Sequence, residues 1–397
     1  MYMKLGNLCN IVIGRTPSRN NQEYWGEGHK WVSISDMESK YIYQTKEQIT
    51  ERAKSECNCT LLPKGTLIMS FKLSIGKLSF LKDDMCTNEA IAGLIIKDKS
   101  ILYDKFLYYA LKVLDLTIGT DRAVKGMTLN KEKLNNILVF FPSYNEQIVI
   151  VEILDKAQAL IDKRKQAIAK LDELVQAVFF DMFGDLRLNT KCWDTKCLSE
   201  IAEVSSGVTK GKKYNDAALV SVPYMRVANV QDGYVDISEI KEIEVSYNDS
   251  IRYRLQPRDV LLTEGGDPDK LGRGAVWTAP IKDCIHQNHI FRVRVNEEIL
   301  NPYFLSACAS SDYGKNYFLK MAKQTTGIAT INMTQLKSFV VFLPPIELQN
   351  QFEQLVKTIE MEKQQMKFQL QQLESNFQAL LQKAFKGELT VKDGVTV

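Results

Sequence analysis

Histidine is nearly absent: His29, His286 and His289 are the only three in 397 residues. So small a supply leaves little for acid–base or nucleophilic chemistry built on imidazole. No apolar run approaches the roughly 18 residues that a membrane helix needs. The longest candidates, near Ile137 to Phe141 and Val178 to Phe183, stop at Pro142, Asp181 and Gly184. Met1-Tyr2-Met3-Lys4 leads into no signal-like stretch, so the expectation is a cytoplasmic protein without a membrane partner. No Gly-Lys-Ser/Thr phosphate loop and no Gly-x-Gly-x-x-Gly spacing occurs, which disfavours nucleotide or dinucleotide sites in this chain. Net charge is also small, +3 from 51 basic and 48 acidic residues, too little to announce a nucleic-acid binder by itself. The eight cysteines include no Cys-x-x-Cys pair and read as reduced thiols.

What is present is ordinary globular material, 45% hydrophobic and 25% charged. The length exceeds what one core usually supports, and two units are expected. Charge is distributed in blocks. Residues 1–145 carry 20 basic and 15 acidic side chains, 146–185 carry 5 and 8, 186–345 carry 20 and 18, and 346–397 carry 6 and 7. Two basic blocks therefore alternate with two acidic ones.

The blocks mark an internal repeat. Leu5 to Thr16 reappears 193 positions on as Leu198 to Thr209, and Val32–Met37 matches Met225–Val230 at the same offset. Leu62–Ile68 matches Gln256–Leu262 at 194, and Asn88–Ile91 matches Gln287–Ile290 at 199. From Asn130 the offset holds at 202, with identical pairs Asn130/Asn332, Leu134/Leu336, Pro142/Pro344, Gln147/Gln349, Leu171/Leu373 and Phe183/Phe385. An ordered series with one slowly growing offset indicates duplication.

Each copy opens with short β-branched runs separated by Gly, Pro, Asn and Asp turns, plus a helix near Lys105–Leu114 or Tyr303–Ser310. It closes with seven-residue apolar series: Ile150, Ala157, Arg164, Leu171, Val178 beside Leu154, Ile161, Ile168, Val175, Met182, then Phe352, Ile359, Met366, Leu373, Leu380 beside Val356, Lys363, Leu370, Phe377, Ala384. These predict helices of about 33 residues, roughly 50 Å long. The fold class is α+β: two mixed α/β globules, at 1–145 and 186–345, and long helices at 146–185 and 346–386, with a tail at 387–397. Since domain termini usually lie close together, antiparallel pairing of the helices as a coiled coil is expected, with an internal pseudo-twofold. A duplex offers the same groove once per turn, so two half-sites need two readers at fixed separation. The globules differ far more from each other than the helices do, which points to an asymmetric, bipartite target.

Thr16-Pro17-Ser18, Glu23-Tyr24-Trp25-Gly26, Trp31 to Met37, Leu261 to Gly274, the Pro-Pro-Ile-Glu-Leu-Gln run at 344–349, and Ala384 to Leu389 resemble segments of the specificity subunit of type I restriction-modification systems, with its two target recognition domains. The resemblance covers nearly the whole chain. It implies a non-catalytic adaptor on double-stranded DNA that binds two methyltransferase subunits and, in a restriction complex, two nuclease/translocase subunits. S-adenosylmethionine would sit on the methyltransferase, ATP and Mg on the nuclease/translocase, and no cofactor in this chain. The first copy starts abruptly near Leu5, whereas the second has a lead-in from Leu186 to Cys197.

Rival readings are a stand-alone DNA-modifying enzyme and a coiled-coil scaffold. The nearest approach to an adenine-methyltransferase motif, Asn301-Pro302-Tyr303-Phe304, lacks the second proline and reads as a helix start with Phe304 in the core. Cys284-x-His286-x-x-His289 has ligand-like spacing, but alternate strand residues face opposite sides and no fourth ligand is evident, so no metal site is assigned. Phosphate anchors are sought where Lys and Arg adjoin Gly, Ser and Thr: Arg15, Arg19, Lys72, Lys77, Arg122 and Lys125 in the first copy, and Lys210, Lys212, Lys213, Lys270, Arg273 and Lys323 in the second. Asn20, Arg226, Asn229 and Gln324 are candidates for reading bases. For any one of these, a plain solvated side chain is the alternative. Arg164 and Lys363 interrupt the seams, and Val149, Ile153, Leu160, Phe179 and Leu381 are expected to help form a methyltransferase-binding surface.

Overall fold

The computed structural model describes residues 1–114, 116, 121–123, 126–214, 218–267, 271–325 and 328–389. The chain divides into two compact units, one of residues 1–164 with the segment from 369 onward, the other of residues 165–368.

In the first unit, strands 9–13, 91–96, 67–70 and 78–81 form an antiparallel sheet in that order, extended by 41–42 running parallel to 78–81. Leu67–Ser70 lies inside this sheet and is buried on both faces, which explains its unbroken apolar run. A second sheet orders strands 47–49, 25–32 and 86–87, the last two parallel. Helix Asp104–Val113 places Phe106, Tyr109 and Ala110 on one face, in the same core as Leu67, Met69 and Leu94.

The second unit repeats this plan. Strands 202–206, 290–295, 260–263 and 274–276 form the antiparallel sheet, and 241–246, 219–225 and 285–286 the mixed one, again with its last pair parallel. The abrupt start of the first copy also has its counterpart: Tyr2–Lys4 pairs with Leu138–Phe140, as Asp194–Cys197 pairs with Val340–Leu343.

The long helices span Tyr144–Phe183 and Ile346–Lys386, 40 and 41 residues, each adding a first turn ahead of its heptad stripe. The added first turn is fixed by a duplicated side chain. Buried Gln147 accepts from Tyr103 N at 2.9 Å and donates to the carbonyls of Ile101 and Pro142. Gln349 does the same with Asn301 N at 2.8 Å and the carbonyls of Ile299 and Pro344. In the first unit Ile150, Leu154 and Ile161 share a core with Phe377, Leu381 and Ala384, and Arg164 donates to Gln369. In the second, Phe179 and Phe183 meet Phe352, while Lys363 pairs with Asp172. Within each unit the two helices therefore run antiparallel.

Candidate nucleic-acid interface

The segments C-terminal to the first sheet strand of each copy are held by the same backbone device. Arg15 N donates to Thr87 O at 2.8 Å, and Val208 N to His286 O at 2.9 Å. A Cβ on Gly14 would meet Thr87 O at 2.3 Å, and one on Gly207 would meet His286 O at 2.0 Å, so glycine at both positions permits the close approach. In the first copy two indoles pin the chain between Arg15 and Ser18: Trp31 donates to Arg15 O at 3.0 Å and Trp25 to Ser18 O at 3.1 Å. Arg15, Arg19 and Asn20 are presented to solvent on this segment. Arg19 lies over the Trp25 ring at 3.8 Å and is bonded through both terminal nitrogens to Glu47, at 2.5 and 2.9 Å. That hydrogen-bonded pair holds the Glu47 carboxyl below its usual range.

The second copy exposes Lys210, Lys212 and Lys213 after Gly207. Lys212 donates to Asp249 at 2.6 Å, and Tyr214 donates to the same oxygen at 2.7 Å. Burial works to raise the Asp249 pKa, but these donors outweigh it and the carboxyl lies low. Arg226 reaches the Glu239 carbonyl at 3.0 Å, and Arg273 bonds Gln231 at 2.9 Å. Lys323 is exposed on strand 323–325. Lys72 and Lys77 are half-buried beside the strand 67–70 turn, and Lys77 reaches Ile34 O at 3.4 Å. Lys125 and Lys270 lie outside the described residues, as do the side chains of Arg122 and Gln324.

Three sequence expectations need correction. Asn229 is 3% exposed and its amide is consumed by backbone: it accepts from Arg226 N at 3.0 Å and donates to the carbonyls of Asp236 and Glu239. Its place in a short 3-10 turn demands that role and leaves no donor to face a base. Phe179 and Leu381, expected on a partner surface, are buried core residues, Phe179 stacked on Phe304 at 5.7 Å and Leu381 in the first unit's core. The reading of 301–304 as a helix start, by contrast, agrees with the structure: Asn301 caps helix Pro302–Ser310 by accepting from Tyr303 N, and Phe304 is fully buried in the core.

Sequence reasoning missed the carboxylates. Glu353, 5% exposed, accepts from Arg258 at 2.6 and 3.0 Å, from Asn301 at 2.5 Å and from Lys357 at 2.7 Å. Asp155 gathers Lys40, Lys105 and Tyr109 in the first unit, at 3.1, 2.8 and 2.6 Å. Both lie on the long helices and tie each helix to its own globular part. No periodicity marks them; only an acidic residue on the inner face of a heptad stripe could have drawn attention.

Residues 1–173 and 190–375 match the family described as the type I restriction modification DNA specificity domain. The chain belongs to that family. It is 23% identical over 411 aligned positions to the MjaIX specificity subunit of Methanocaldococcus jannaschii, covering 98% of this chain and 93% of the relative. Against the EcoKI specificity subunit of Escherichia coli K12 it is 26% identical, covering 77% and 70%. Among solved structures, it is similar in fold to the specificity subunit of M. genitalium (TM-score 0.51, 15% identity, 97% and 96% covered) and to a chain from a structure of type I system assembly and conformational transition (TM-score 0.62, 16% identity, 98% of both). The work of such a subunit is recognition within a type I complex, not catalysis.

A type I specificity subunit works beside other chains, and the long helices leave apolar residues uncovered. Val149 and Ile153 are half-buried, while Leu160 is exposed. Phe180 is 62% and Phe368 60% exposed, with Leu174, Leu355 and Met361 also open. Phe180 rims a groove of about 770 Å³ in the second unit that carries Asp172, Glu173, Asp185, Asp232, Asp312 and Glu360 against Arg187, Lys315 and Lys363. That sign repels phosphate. No helix among the described residues is long and apolar enough to cross a membrane.

Proposed function

We propose that residues 1–145 and 186–345 are two target recognition domains, each reading one half of an asymmetric, bipartite site in double-stranded DNA, and that the long helices set the spacing between the halves. The observation that carries this reading is one sheet order used twice with unlike side chains after the shared glycine, Arg15 to Asn20 in one copy and Lys210 to Tyr214 in the other. A common scaffold with divergent exposed loops suits two readers of different sequence. The DNA face comprises Arg15, Arg19, Asn20, Lys72 and Lys77 in the first copy and Lys210, Lys212, Lys213, Arg226, Arg273 and Lys323 in the second, joined by Arg122, Lys125, Lys270 and Gln324.

The exposed apolar side chains of the helices, Leu160 and Phe180 foremost, dock two methyltransferase subunits that bring S-adenosylmethionine. In a restricting complex, two nuclease/translocase subunits bring ATP and Mg. The assembly works in the cytoplasm, where the genome is its substrate. Mapping methylated bases in the host genome with this gene present and deleted tests the reading. A two-part motif with a fixed gap should vanish on deletion; persistence of every methylated motif would refute it.

A further inference from the structure

Arg19 and Lys212 stand at the same place in the repeat, each five residues after the duplicated glycine at positions 14 and 207. Each lies against an aromatic ring of its own segment, Trp25 at 3.8 Å and Tyr214 at 5.0 Å. Each is also closed by a carboxylate from the same corner of the fold. Glu47 begins the strand 47–49 that leads into helix Glu51–Glu56, and Asp249 lies in the first turn of helix Tyr247–Arg252, which comes directly after the matching strand 241–246. The residues differ, but the arrangement of cation, ring and carboxylate occurs in both copies.

A cation engaged by a carboxylate contributes little to phosphate binding, because it must first lose that partner. Arg19 and Glu47 are about half exposed, 53% and 41%, so solvent and DNA can reach the pair. The ring beneath the guanidinium keeps it in place when the carboxylate is removed. We propose that Glu47 and Asp249 are specificity-determining residues that act by withholding these two cations from arbitrary DNA. Each cation passes to a phosphate only when the correct half-site supplies the contacts that compensate for opening the pair. This deepens the two-reader function proposed above and rests on it.

Glu47→Gln in the full chain tests the idea, with Arg19→Gln and the double variant as controls. Binding to a random-sequence duplex and to a duplex carrying the mapped target is measured between about 0.05 and 0.3 M salt, a range that brackets physiological ionic strength. Freeing one cation for one phosphate steepens the log–log salt slope on random DNA by about 0.9, which is about eightfold in affinity at 0.1 M relative to 1 M salt. The expected result is that gain on random DNA, a smaller gain on the target, and therefore reduced discrimination. The gain should disappear in the Arg19→Gln background. A gain that persists there is a diffuse charge effect and overturns the proposal. So does an unchanged salt slope, or loss of target binding with no gain on random DNA, which would make Glu47 a base reader. If the unaltered chain binds neither duplex, the two-reader function itself fails, an outcome distinct from failure of the gate alone.

Discussion

Neutralising Glu353 is the sharpest test of how the second recognition domain is joined to its helix. Burial by itself would raise the pKa of this carboxyl. Hydrogen bonds from Arg258, Lys357 and Asn301 more than offset that and hold it at about 2, against an ordinary value of 4.5. A shift of that size corresponds to about 3 kcal/mol favouring the charged, bonded form. Glu353→Gln mimics the protonated state and should therefore cost the second unit about 3 kcal/mol, consistent with breaking a buried pair and moderated because Arg258 keeps Glu297 at 2.6 Å. Hydrogen exchange of peptides from 290–310 reads it: their most protected amides should exchange about a hundredfold faster. Peptides from 91–111, in the first unit, serve as the internal control. The pH dependence has a definite sign. A carboxylate with a depressed folded-state pKa stabilises the fold above its unfolded value of 4.5 and loses that contribution as pH falls toward 2. The variant and the unaltered chain should therefore converge between pH 4.5 and 2. A difference below about 1 kcal/mol at pH 7, or one that grows on acidification, would refute this account of the helix junction.

Other contacts give equally definite outcomes. Replacing exposed Phe180 and Leu160 together with Asp should reduce co-purification with the methyltransferase by more than about tenfold while thermal melting moves by less than about 2 °C, since neither side chain fills a core. Undiminished co-purification would remove these residues from the docking surface. Gly207→Ala drives a methyl group into the His286 carbonyl and should destabilise the second unit by ~2 kcal/mol or more, read by the same peptide exchange, with first-unit peptides unchanged. Lys210→Gln and Lys323→Gln should weaken target and random duplexes alike and lower the salt slope by about 0.9 each.

The repeat, and with it the family, is legible because duplication leaves identical residues at a slowly drifting offset: Gln147 and Gln349 stand out as a pair in the sequence alone, and their matching hydrogen bonds give the reason. The long helices are legible for the same reason that they pair, an apolar stripe every seven residues. The stripes alone do not reach the helix starts, where the first turn rests on the tertiary partners of Gln147 and Gln349. Heptad arithmetic also cannot separate residues covered by the chain's own globular parts from those left open. Phe179 and Phe180 are neighbours of equal hydrophobicity, yet one is stacked on Phe304 and the other stands in solvent. Among the polar candidates, proximity to Gly, Ser and Thr picks out Arg15, Arg19 and Lys210 on exposed segments, but it cannot reveal that Asn229 spends its amide on backbone or that Arg19 already has a carboxylate partner. Those facts come from a strand 28 positions away in the chain, or from the local geometry of a turn, and no short window of sequence contains them.

The most direct measurement exchanges residues 1–145 for the matching segment of a relative with a different target and reads the genomic methylation pattern. Two independent readers on one helical spacer predict a new motif in which one half is replaced while the other half and the gap between them are kept. A motif changed in both halves, or altered in its gap with both halves intact, would contradict the account.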